Sequence, residues 1–139
     1  MAKGAIPAKL EEVLSRPNPA VMATLRRDGQ PVTVATWYGY ENGRILLNMD
    51  AERKRLSHLR NDPRVSLTVL NGDDWYSHLS LQGRVVEMVD DEGLADIDRI
   101  STNYTGKAYD NRERPRISVW VEIDSWVGWG ELAQSTVES

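Results

Sequence analysis

Two tight-turn dipeptides, Asp28-Gly29 and Asn42-Gly43, constrain this chain more than any other feature. Each lies between runs of β-branched and aromatic residues. Two-residue hairpin turns need positive φ, which Gly and Asn supply at little cost. Strands joined this way are antiparallel, because parallel neighbours need a long crossover connection. The first three strands are therefore residues 20–26, 31–40 and 44–49, and a doubly wound parallel sheet is excluded.

Period-two alternation supports these strands. In 31–40, Val32, Val34, Thr36 and Tyr38 share one face, and Thr33, Ala35 and Trp37 share the other. In the third strand, Ile45, Leu47 and Met49 alternate with Leu46 and Asn48. Further strands are predicted at 65–70, 75–89 and 116–123, with Gly83 marking a bulge or a close backbone approach. Three segments read as helix: 7–15 with Leu10, Val13 and Leu14 on one stripe; the basic run 51–60; and 91–103 with Leu94, Ile97 and Ile100. Residues 104–114 form a polar loop. Six short strands with a few helices predict a mainly β fold, an antiparallel barrel or sandwich. The 139 residues form one domain: a helix and lead-in over 1–19, the barrel over 20–129, and a tail over 130–139, with the segment from Asp124 onward beginning extended and then fraying.

The third strand runs directly into the basic helix. Asp50 is the expected N-cap, Leu56 and Leu59 lie on one face, and Asn61-Asp62-Pro63 stops the helix. Arg53, Lys54 and Arg55 fall in its first turns, where the helix dipole disfavours cations. An anion bound at the same end would reconcile that placement with the free N–H groups there. A charge run of this kind is equally the solvated face of a surface helix.

Composition narrows the functional classes. The formal charge of −4 argues against non-specific nucleic-acid binding as the main task. The absence of cysteine excludes disulfides, thiolate metal ligands and a cysteine nucleophile. No membrane-spanning apolar run and no signal-peptide pattern are visible, and a cytoplasmic location is expected. No phosphate-binding glycine loop or nucleophile elbow occurs, and His58 and His78 lack metal-ligand spacing. What remains is a binding surface. It combines cations at a helix start, small and polar strand residues (Thr33, Thr36, Asn48), and the aromatics Trp37, Tyr38, Trp75 and Tyr76. Together these suggest a flat, phosphate-bearing cofactor that supplies the chemistry while the protein orients it.

The run DGQPVTVATWYGYENGRILLNMDAERKRLSHLRNDPRVSL resembles the core of the pyridoxamine 5'-phosphate oxidase-like split-barrel superfamily. More specifically it is similar to the actinobacterial branch that uses the deazaflavin coenzyme F420, the flavin/deazaflavin oxidoreductase B group. Gln82 to Val85 and Tyr104 to Gly106 also fit, and the likeness covers roughly 20–129. The resemblance implies a six-stranded antiparallel split β-barrel of the FMN-binding type. It also implies a homodimer with a cofactor groove at each interface. By matching position, it implies that Arg53, Lys54 and Arg55 lie at the cofactor tail, and that Asn48 and Met49 lie beside the deazaflavin edge. Thr33, Val34 and Thr36 would lie along the ring, and Trp75, Tyr76 and His78 would approach from the partner subunit. The implied activity is hydride transfer from F420H2 to an unsaturated small molecule, such as biliverdin, a quinone or an enone. Solvent or a side chain, with His78 or Tyr76 as candidates, would supply the proton. Two alternatives stay open: an FMN-binding oxidoreductase, and a non-catalytic carrier of F420, flavin or haem.

Overall fold

The structure is a computed structural model and describes residues 1–133; residues 134–139, most of the expected tail, lie outside the described residues. Seven strands form one antiparallel sheet: β1 Ala20–Leu25, β2 Pro31–Thr36, β3 Gly39–Glu41, β4 Arg44–Asp50, β5 Arg64–Asn71, β6 Asp74–Asp90 and β7 Arg116–Gly128. Their spatial order is β2-β1-β5-β6-β7-β4-β3. The helices are α1 Ala8–Leu14, α2 Lys54–Asn61 and α3 Ala95–Thr105.

The seventh strand arises from a division of the expected 31–40 strand. Pro31–Thr36 pairs with β1, whereas Gly39–Glu41 pairs with β4 at the opposite edge of the sheet. Only Trp37 and Tyr38 separate them, so the two edges meet there and the sheet curls into an open barrel. Tyr38 pins the switch. Its ring is buried, and its hydroxyl donates to the Leu14 carbonyl at 2.8 Å, one of the orphan carbonyls at the end of α1. Asn18, also buried, donates to the Val13 carbonyl at 2.6 Å and to the Tyr38 hydroxyl at 3.2 Å. Burial pushes the Tyr38 phenol well above its usual pKa, so it stays a neutral donor.

The barrel core is built from one face of each strand, with Met22, Ile45, Leu47, Met49, Leu67, Val69, Leu79, Leu81, Val119 and Val121 buried, and α1 closes one end through Leu10, Val13 and Leu14. The other face of β4 is buried too. Leu46 packs against Ile97 and Ile100 of α3 in a second cluster. Each such buried aliphatic contributes about 2 kcal/mol of transfer free energy, which seats α3 over β4.

Three boundaries differ from the sequence reading. The last strand continues past Ile123 to Gly128, paired with β6 on either side of an unpaired Asp124, and a 3-10 turn over Gly130–Leu132 follows with Leu132 buried. The third helix starts at Ala95, after a 3-10 turn and a left-handed Leu94, and runs to Thr105. The N-cap of α2 is Arg53, not Asp50. Asp50 ends β4 instead, where its carboxylate accepts the Glu52 N–H at 2.9 Å and pairs with Arg114. Gly83 behaves as the sequence suggests: the β6–β7 register shifts beside it, and a Cβ there would lie 2.2 Å from the Glu122 carbonyl oxygen.

Candidate functional site

Three cavities run side by side from the start of α2 to the Trp37 switch. The central one, about 300 Å3, lies among Thr36, Asn48, Met49, Asp50, Arg53, Arg55, Tyr109 and Arg116. A basic depression of about 920 Å3 shares Arg53 and Arg55 with it and adds Arg26, Arg27, Lys54 and His58, together with Asp28 and Glu52, which are already paired with Arg26 and Arg114. On the other side, a chamber of about 480 Å3 shares Ala35, Thr36 and Trp37 with the central cavity. A separate depression of about 450 Å3 on β1, β5, β6 and β7 holds charges that are already satisfied: its Arg64 pairs with Asp62 and its Asp124 with Arg84.

The electrostatics of the three-part groove are asymmetric. Most arginines of this chain are ion-paired. Those without a carboxylate partner among the described residues are Arg27, Arg53, Arg55, Arg60 and Arg116. All but Arg60 line the central cavity or the basic depression. Arg55 is half-buried, and its Nε is buried without a hydrogen-bond partner. Burial, and then the neighbouring Arg53, pull the Arg55 guanidinium below its ordinary pKa. An anion in the groove would reverse both penalties, so the donor set fits a phosphate or carboxylate group.

Beneath the cations lies a satisfied polar network. The Asn48 amide donates to Asp91 Oδ2 at 3.0 Å and Ser118 Oγ at 3.1 Å, and its Oδ1 accepts from Arg116 Nε at 2.7 Å. Asp91 also accepts the first N–H groups of α3, from Asp96 at 2.8 Å and Ile97 at 2.9 Å. The Arg116 guanidinium lies 4.7 Å from the Tyr109 ring centroid. Asn48 therefore holds Arg116 at the cavity wall with its own polar atoms already engaged.

Of the residues singled out from sequence, Thr36, Asn48, Met49, Arg53 and Arg55 meet at the central cavity, and Lys54 joins Arg53 and Arg55 in the basic depression. Thr33 is exposed on β2, and Val34 packs against the barrel core. Trp75 and Tyr76 are 70% and 63% exposed, near the β5–β6 turn. The His78 ring stacks on Trp129 with centroids 6.0 Å apart, and its Nδ1 lies 2.8 Å from the Tyr76 carbonyl oxygen. Within one chain, none of these three lines the groove. The sequence reading missed Arg116 and Tyr109. Tyr109 lies in a loop without periodicity, and Arg116 reaches Asn48 only through the β4–β7 pairing of Asp50 with Arg116. Among the described residues no helix is long and apolar enough to cross a membrane, and no His, Cys, Asp and Glu group is arranged to hold a metal ion.

The pyridoxamine 5'-phosphate oxidase family profile matches residues 6–130, and the chain belongs to that family. Solved structures agree on the split-barrel fold. An F420 reductase superposes with a TM-score of 0.78 at 24% identity, over 87% of this chain and 98% of that one. A conserved hypothetical protein from Mycobacterium tuberculosis gives a TM-score of 0.70 at 24% identity, over 97% and 93% of the two chains. A FAD-binding protein from Mesorhizobium loti gives 0.62 at 20% identity, over 91% and 96%.

Proposed function

We propose that this protein is an F420H2-dependent reductase of the flavin/deazaflavin oxidoreductase B group. The observation that carries this reading is the set of cations without carboxylate partners, Arg27, Arg53, Lys54, Arg55 and Arg116, along two adjoining cavities of a chain whose net charge is −4. In such a chain an uncompensated basic groove is an electrostatic funnel for an anionic ligand. FMN offers one phosphate. The basic depression of about 920 Å3 extends well past what one phosphate fills, and this favours the longer phosphate and glutamate tail of F420. The F420 reductase among the fold relatives supports the same choice.

In this reading Arg53, Lys54 and Arg55 hold the tail. Thr36 and Met49 border the ring, and Arg116, fixed by Asn48, supplies a further donor at the cavity wall. When bound, the reduced deazaflavin supplies a hydride. The acceptor gains that hydride and one proton, two electrons in all, while F420H2 is oxidised to F420. The chain positions the reactants and excludes water, so proximity carries most of the rate. The reading includes a homodimer in which the exposed Trp75 and Tyr76 of one subunit cover the groove of the other, with solvent, Tyr76 or His78 as proton source.

Turnover tests the proposal. F420H2 mixed anaerobically with the protein and a panel of enones, quinones and biliverdin is expected to be oxidised at a rate proportional to protein. F420 binding with no oxidation by any acceptor would mark a carrier instead. Activity that requires FMN would move the protein to the flavin reading.

A further inference from the structure

The third chamber differs in kind from its neighbours. It is lined by Pro17, Pro19, Ala35, Thr36, Trp37 and Tyr104, and no charged side chain contributes to it. Trp37 and Tyr104 stack with centroids 5.0 Å apart and planes 11° apart, and Trp37 remains 36% exposed. The polar atoms of the wall are engaged: the Thr36 hydroxyl donates to the Trp37 carbonyl at 2.9 Å, and the Tyr104 hydroxyl donates to the Asn18 carbonyl at 2.6 Å. Burial pushes the Tyr104 phenol up to about 12, so this wall is uncharged at neutral pH. At about 480 Å3, the chamber has the size and apolar, aromatic lining of a small-molecule site.

We infer that this chamber is a binding site for an uncharged planar molecule that stacks on Trp37 beside the cationic cavity. Ala35, Thr36 and Trp37 line both chambers, so the two adjoin along a shared edge. Its assignment as the acceptor site rests on the reductase reading above. A flat neutral ring gains stacking area on Trp37 and gives up no strong hydration. A carboxylated ligand would lose hydration here with no donor to replace it. Among acceptors, the chamber therefore selects neutral quinone- or enone-like rings over a dianionic tetrapyrrole.

The test uses the ligand-free full chain and calorimetric titration with naphthoquinone, naphthoquinone sulfonate and inorganic pyrophosphate. Naphthoquinone is expected to bind equally well with and without saturating pyrophosphate, whereas the sulfonate is expected to compete with it. Trp37→Ala should weaken naphthoquinone binding about tenfold, Trp37→Phe should retain most of it, and Arg53→Ala with Arg55→Ala should leave it within about twofold. Mutual exclusion of naphthoquinone and pyrophosphate, or naphthoquinone affinity unmoved in a folded Trp37→Ala protein, would overturn the inference. An F420 titration read beside these separates the two ideas. Failure to bind F420 removes the reductase reading while leaving a Trp37-dependent neutral site in place.

Discussion

Arg114 pairs with the short turn between β4 and α2, Arg55 lies in the first turn of α2, and their environments are opposite. Arg114 reaches Asp50 and Glu52, and its guanidinium, followed by the Glu52 backbone N–H, holds the Asp50 carboxyl well below the usual carboxylate range. Arg55 has no ion-pair partner among the described residues, lies beside Arg53, and keeps a buried Nε without a partner. The first arrangement completes itself within the chain. The second is incomplete, and an incomplete set of donors beside a cavity marks a ligand site better than a count of cations does. The same contrast separates Arg64, Arg84 and Arg112, all paired on the surface, from Arg116, which is held by Asn48 and Tyr109 at the cavity wall.

The largest expected effect breaks the incomplete side. Arg53→Ala with Arg55→Ala should weaken F420 binding more than about a hundredfold, since each lost charge-assisted contact is worth about 1.5–3 kcal/mol. The melting temperature should hardly change, because neither residue has an ion pair to lose among the described residues. A folded double variant with unchanged affinity would remove α2 from the site.

Next comes the support beneath it. Asn48→Ala leaves Asp91, Ser118 and the Arg116 Nε each short of a partner. Chemical denaturation should show a loss of about 2–3 kcal/mol, with weaker cofactor binding as Arg116 loses its anchor. A stable variant with full affinity would show that the network does not position Arg116.

The completed side should matter least for binding. Arg114→Ala is expected to change F420 affinity less than about fivefold, because its charge is already spent on Asp50 and Glu52. Its signature lies in pH. The folded Asp50 pKa is depressed, so its contribution to stability is present above the unfolded carboxylate value of about 4 and is lost as pH falls through the acid range. The melting-temperature gap between wild type and Arg114→Ala should thus be open at neutral pH and close on acidification. A gap independent of pH would contradict the pairing.

Much of the fold was legible from local chemistry. The Asp28-Gly29 and Asn42-Gly43 turns, the alternating strands, and the Leu10–Val13–Leu14 and Ile97–Ile100 stripes all appear where the residues imply them. The split of 31–40 was not legible, because the alternation runs through Trp37 and Tyr38 unbroken. The break comes from the hydrogen bond between Tyr38 and the end of α1, a tertiary contact. The start of α2 was misplaced for a related reason: Asp50 has the chemistry of a cap, but distant Arg114 claims it. In the candidate site, local charge patterning pointed to Arg53, Lys54 and Arg55. Arg116 and Tyr109 join them only through strand pairing across the barrel.

The most direct measurement is a pair of fluorescence titrations of the ligand-free protein, one with F420 and one with FMN. Tight F420 binding that disappears in Arg53→Ala with Arg55→Ala, together with weak FMN binding, is the predicted result. Preference for FMN, or F420 affinity indifferent to those two arginines, would contradict the assignment of the unpaired cations to the F420 tail.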